Sequence, residues 1–279
     1  DSMEWEMSNM SSDMEDMEWR IDELESDLEN ATSCQLVPYG NCAGADLSGA
    51  NLSGMDLTGI DLRETDLNYA DLTGANLNYA DFTDATIQYA NLKGAWLYGA
   101  NLIGADLEYA DLTDAILQTA NLADATMDYA NLKGVFLVQA DVTGAGFWHA
   151  DLTGARLQYA DFTDANMDYA NLKGAGLSGA DLTGADLSYA DLTAANLNYA
   201  DLTNAELYGA DLTGANLHYA NMTGAWLYSA NLVNAYLVNA DLTDADLSYA
   251  DLTGADLDSA NLTDADLSYA DLTGADLDS

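Results

Sequence analysis

From Gly40 to Ser279 the apolar and polar residues follow a period of five that never slips. The position at 47, 52, 57 and so on to 277 is Leu in 39 of 47 cases and Phe, Ile, Met or Val in the rest. Two residues earlier, 43 of 47 are Ala, and the residue between is Asp or Asn in 36 of 47. Thr or Ser commonly follows the Leu, then Gly, Tyr or Asp. A period of five is neither the 3.6 of a helix nor the plain alternation of a long strand. Ala and Leu, two apart, share one face of extended backbone, and the Asp or Asn between them points to the other. Each five-residue unit is thus a short extended side followed by a corner. Its apolar pair is too small to make a core alone, but stacked units bury a continuous column.

The stretch "ADLTGANLNYADFTDATIQYANLKGA" resembles the A(D/N)LXX signature of the pentapeptide repeat proteins, and the likeness covers residues 40–279. It implies an all-β solenoid, a right-handed quadrilateral parallel β-helix with four pentapeptides per coil. It places Leu47 and its equivalents at the central inward position and Ala45 and its equivalents at the second. The 48 pentapeptides of this span make twelve coils, a rod of roughly 55–60 Å at the ~4.8 Å inter-strand spacing. "YANLKGA" or "YANLKGV" recurs at 89, 129 and 169, so the array has grown by copying whole coils.

With twenty residues per coil, positions twenty apart stack. Tyr69, Tyr89, Tyr109 and Tyr129 then form a ladder, resumed at Tyr169 and Tyr189 and again at Tyr249 and Tyr269. It reads either as protection of a corner or as a stripe for lateral association. Where the outward Asp or Asn is lost, Trp96, Ile116 and Phe136 stack beside Tyr98 and Val138, a contiguous apolar patch of the kind that marks contacts. Tyr208, Trp226 and Tyr228 form a smaller second patch. Lys93, Lys133 and Lys173 fall on one side and are expected to offset neighbouring carboxylates. The Asp columns offer hard oxygen ligands for weak, diffuse Ca²⁺ binding, without any dedicated calcium spacing. No other cofactor or metal is expected.

The first forty residues differ. Met3, Met7, Met10, Met14, Met17, Ile21, Leu24 and Leu28 follow the alternating four–three spacing of a coiled-coil seam. Residues 1–33 are therefore expected to form an acidic heptad helix that self-associates, and a single helix folded onto the rod is the plainer alternative. Met in the seam gives adaptable packing. Cys34 and Cys42 are the only cysteines, and Cys42 is in register with the inward Leu column. A disulfide between them would clip residues 34–42 over the open end of the β-helix of residues 43–279. Closing so short a loop contributes about 2–3 kcal/mol, and the bond persists only in an oxidising compartment.

Net charge is −42, from 48 Asp and Glu against six Lys and Arg, which excludes nucleic acid or an anionic membrane as a partner held by a basic patch. No apolar run approaches the ~20 residues of a membrane span. His149 and His218 fall on separate coils and no nucleophile–base pair is suggested, so no enzymatic activity is expected. The start at Asp1, without Met or signal peptide, together with the cysteine pair, leads to the expectation of an exported, extracellular or surface product. The last coils follow the consensus without a cap, so the ending reads as a joint for a neighbouring subunit. Two functions compete. One is a self-associating structural protein, a homo-oligomer or filament joined head to tail or through its N-terminal helix. The other follows from the resemblance, since some pentapeptide repeat proteins are acidic rods that bind DNA gyrase in place of DNA. The array carries 36 acidic and five basic residues, about one net charge per 1.9 Å against ~1.7 Å for duplex DNA.

Overall fold

The computed structural model describes residues 34–278. The heptad segment and its seam lie outside the described residues. From Asn41 every fifth residue is bridged in parallel to the residue twenty positions on, beginning with Asn41 to Asp61 and ending with Asp256 to Asp276. The described chain is therefore a four-sided parallel β-helix just short of twelve coils. Side A carries Cys42, Leu62, Phe82 and every twentieth residue after them; side B carries Leu47, Leu67 and Ile87; side C carries Leu52, Leu72 and Leu92; side D carries Leu57, Leu77 and Leu97.

One pentapeptide, Asp66–Ala70, shows how five residues satisfy five backbone donors. The Asp66 N–H donates to the Ala45 carbonyl of the coil before (3.0 Å), and the Leu67 N–H to the Thr86 carbonyl of the coil after (2.7 Å). The Tyr69 N–H also reaches the coil after, at Gln88 (2.9 Å), and the Ala70 N–H closes the corner onto Leu67 (3.0 Å). The Asn68 N–H, which points along neither ladder, donates to the Asp66 side-chain oxygen Oδ1 (2.9 Å). The outward Asp or Asn is thus the acceptor that completes its own corner, an Asx turn, and not only a solvated charge. The same bond recurs along the array, as at Thr143 to Asp141 (3.1 Å) and Thr243 to Asp241 (3.0 Å), with Asn131 an exception whose Oδ1 has no partner.

Leu and its replacements fill the interior without exposure over most of the length, and Ala lines the inner wall beside them. Among the largest buried side chains are Phe82, Phe147 and Phe162, the latter two with ring centroids 5.7 Å apart. Thr65 is the single Thr at an Ala position. It is fully buried and its hydroxyl donates to the Cys42 carbonyl (2.9 Å), so no polar atom is lost to the core. Residues 34–40 close the N-terminal end. Cys34 and Cys42 are disulfide-bonded, with Cα atoms 4.2 Å apart. The Tyr39 N–H joins the first full coil at Thr58 (2.8 Å). A Cβ on Gly40 would lie 1.9 Å from the Gln35 carbonyl oxygen, so only glycine lets the clip fold this tightly.

Candidate interaction surfaces

The residue two after each central Leu takes a left-handed backbone throughout, and 13 of the 17 tyrosines sit there with φ between 55° and 63°. This conformation disfavours Tyr by about 1–2 kcal/mol relative to Gly. For most of them the compensation is stacking, while Tyr39 and Tyr159 instead lie over the corners at Gly59 and Gly179. Along the corner between sides B and C, Tyr69, Tyr89, Tyr109 and Tyr129 stack at 4.8–5.0 Å with their planes within 6°. The ladder does not stop where the sequence pattern breaks. His149 continues it, 5.4 Å from Tyr129 and 4.9 Å from Tyr169. Tyr208 and Tyr228, one residue earlier in their repeats than the other rungs, carry it on, 5.1 Å from Tyr189 and 5.3 Å from Tyr249. Eleven rings thus run unbroken from Tyr69 to Tyr269. Two members of the second patch are therefore rungs of the ladder, and Trp226 stands exposed on side B beside them. Reading the ladder by strict twenty-residue spacing misses this, because a ring one position away still reaches the stack.

The first patch is assembled as its spacing implies. Trp96, Ile116 and Phe136 are bridged in succession on side D, and Arg156 follows. The Arg156 guanidinium lies over the Phe136 ring at 4.3 Å, a cation–π contact. Trp96 and Tyr98 are exposed, whereas Ile116, Phe136 and Val138 are half-buried. Charge separates this side from the rest. From Ala75 to Asn239, nine successive coils, side D holds no Asp or Glu, and Arg156 is its one charge. Sides A and C keep Asp or Asn at every outward position over the same coils, and side B carries Asp or Glu on most of them. His149 and His218 are on different sides, more than three coils apart. No pocket opens among the described residues, and no group of three His, Cys, Asp or Glu is placed to hold a metal.

The acidic sides are organised to ionise. At Asp71, Asp241 and Asp271 the following Thr hydroxyl, and then its N–H, hold the carboxyl below the usual carboxylate range. Asn relieves stacked carboxylates: the Asn101 amide donates to Asp81 (3.2 Å) and Thr83 (2.8 Å), and Asn221 does the same to Asp201 and Thr203. Of the three side C lysines, Lys133 makes an ion pair, 2.9 Å from Asp151. Burial pushes the Asp168 carboxyl upward, and the Asp186 carboxylate adds to the shift. Among the described residues no helix is long and apolar enough to cross a membrane.

Comparison with known proteins bears on this architecture. The profile of the family described as pentapeptide repeats (8 copies) matches overlapping segments running from residue 41 to residue 278. HetL of the cyanobacterium Nostoc sp. strain PCC 7120, a pentapeptide repeat protein involved in heterocyst differentiation regulation, is 34% identical. The match covers 81% of this chain and 93% of HetL, with a TM-score of 0.44. Full-length QnrB1, a plasmid-mediated fluoroquinolone resistance protein, is 19% identical over 82% of this chain and 91% of its own, with a TM-score of 0.32. A pentapeptide repeat protein of the Arabidopsis thaliana thylakoid lumen is 28% identical over 51% of this chain and 67% of its own, with a TM-score of 0.23. No curated protein matches by sequence. With the repeats of the family model matched from residue 41 to residue 278, the chain belongs to the pentapeptide repeat family, whose members form right-handed quadrilateral β-helices.

Proposed function

We propose that this protein is a non-enzymatic structural rod, exported and self-associating, whose job is to present a rigid acidic surface within an assembly. The observation that carries this reading is the segregation of charge. A chain of net charge −42 repels its own copies wherever carboxylates face one another. Side D alone removes that obstacle over nine coils, with Trp96, Ile116, Phe136 and Tyr236 at outward positions and Asn, Gly or Arg at the rest. Large exposed apolar patches on a soluble protein mark contacts. The Cys34–Cys42 disulfide supports an oxidising compartment outside the cytoplasm. The heptad pattern of residues 1–33 supports a second joint through a coiled coil. The Oδ2 oxygens on sides A and C remain available to bind Ca²⁺ weakly and lower the repulsion between rods. Sedimentation velocity of the oxidised full chain across a hundred-fold range of concentration tests the reading. Mass that rises with concentration supports it, and a monomer at every concentration up to millimolar overturns it.

A second reading is favoured by one specific observation, the near-DNA density of charge on sides A, B and C. As an acidic rod the protein would occupy the groove of a DNA-binding protein such as gyrase. Its test is competition: displacement of duplex DNA from a basic DNA-binding protein at stoichiometric rod supports it, and no displacement at a hundred-fold excess removes it.

A further inference from the structure

We infer that two copies pair side by side, antiparallel, through their side D faces, with a two-fold axis crossing the face at Arg156. The inference rests on the self-association reading and gives it a geometry. A two-fold contact is isologous, so the same patch must be complementary to itself. The carboxylate-free stripe runs from the coil of Asn76 to that of Tyr236, and Arg156 is its midpoint. Turning one copy end over end about Arg156 sets Trp96 opposite Asn216, Ile116 opposite Asn196 and Phe136 opposite Gly176. In every pair a large side chain meets a small or flat one. Gly176 has no side chain, and the Gln158 amide nitrogen occupies that space, 2.3 Å from where a Cβ would stand. Parallel pairing would instead set the bulky half of one rod against the bulky half of the other.

In the neighbouring outward column the same two-fold sets Asn198 opposite Gln118 and His218 opposite Tyr98, polar and aromatic side chains with no carboxylate among them. At the axis the two Arg156 guanidiniums, each stacked on its own Phe136 ring and exposed, face one another and are the one like-charge contact the pair must accommodate. A stripe of nine coils is ~43 Å long, which at one side's width buries roughly 500 Å² per copy. That is less than the ~800 Å² of a standard interface, as expected of a weak, concentration-dependent pair.

The test uses substitutions that keep every corner acceptor. Asn196→Asp with Asn216→Asp adds two carboxylates to side D; Asn171→Asp with Asn231→Asp adds two to side C, where Asp is already the rule. By sedimentation of the oxidised full chain, the side D variant is expected to weaken pairing at least ten-fold and the side C control less than two-fold. A nitroxide attached at Asn239→Cys, on the corner flanking the stripe, lies four coils from the axis. Its distance to its mate is then eight coils, ~38 Å in the antiparallel pair, and under ~20 Å in a parallel one. Equal effects of the two double variants, or a short distance, overturn this inference while leaving self-association standing. Pairing that disappears only when residues 1–33 are removed makes that segment the joint and overturns it in the same way. A protein that stays monomeric at all concentrations overturns the function proposed above as well.

Discussion

At the scale of single residues, the repeat is governed by which backbone donor each side chain serves and which backbone strain it repays. Tyr109 occupies a left-handed position between two stacked rings, Tyr89 at 4.8 Å and Tyr129 at 5.0 Å. Tyr109→Ala keeps the strain and loses both stacks, each worth about 0.5–1.5 kcal/mol. Tyr109→Gly loses the stacks but relieves the backbone. The order of stability expected in denaturant unfolding is therefore Tyr, then Gly, then Ala, the reverse of the usual preference for Ala over Gly. An Ala variant more stable than the Gly variant would show that stacking, not backbone strain, sets the cost. Asp141 tests the other rule. Its Oδ1 accepts both the Thr143 N–H and the Thr143 hydroxyl (3.1 and 2.7 Å). Asp141→Ala should cost about 1 kcal/mol, whereas Asp141→Asn keeps the acceptor and should be close to neutral. Equal losses from both would mean that the charge matters and the corner bond does not.

At the scale of the coil, the sequence was readable wherever one residue type did one job. The period of five, the sharing of a face by Ala and Leu, and the twenty-residue coil all follow from repetition, and the parallel bridges reproduce them from Asn41 onward. Cys42 lies in the core of the first coil because it occupies a Leu position. What the letters hid was compensation between neighbouring positions. Where Trp96 replaces the corner acceptor, the Tyr98 N–H finds Asn78 Oδ1 one coil below (2.8 Å), and Asp128 rescues Trp148 in the same way at Gly146 (2.9 Å). The absence of carboxylates from side D was equally invisible along the chain, because its residues are spread over 165 positions and come together only when read every twentieth. The clip of residues 34–42 is an element whose effect should stay local, since each coil contacts only its neighbours. Reduction of the Cys34–Cys42 bond should speed amide exchange at Cys42, Gly44 and Leu47 while leaving Leu107 and Leu112 protected. Faster exchange spreading to the middle coils would show that the array unfolds as one unit.

At the scale of the whole rod, the sign of the electrostatic response separates the two functions. Carboxyls such as Asp71, Asp241 and Asp271 have folded-state values held below the unfolded one, chiefly by Thr hydroxyls. Their contribution to stability is complete above the unfolded value of about 4 and is lost as pH falls through the depressed folded values. On this account the denaturant midpoint of the rod should change little from neutral pH down to about 4 and fall below it. Within that range, added salt screens the carboxylates that face one another across a pair of like rods. A pair joined through side D gains from this screening, because its contact holds no carboxylate and like-charge repulsion opposes it. Raising salt from about 0.05 to 0.5 M should therefore tighten self-association several-fold. A complex of the acidic sides with a basic DNA-binding protein must respond in the opposite sense, since screening removes the attraction that forms it. Measured side by side at pH 7, the two salt slopes have opposite signs. Association that weakens with salt is incompatible with pairing of like-charged rods through a carboxylate-free face, and association that strengthens with it is incompatible with a contact made by the carboxylates.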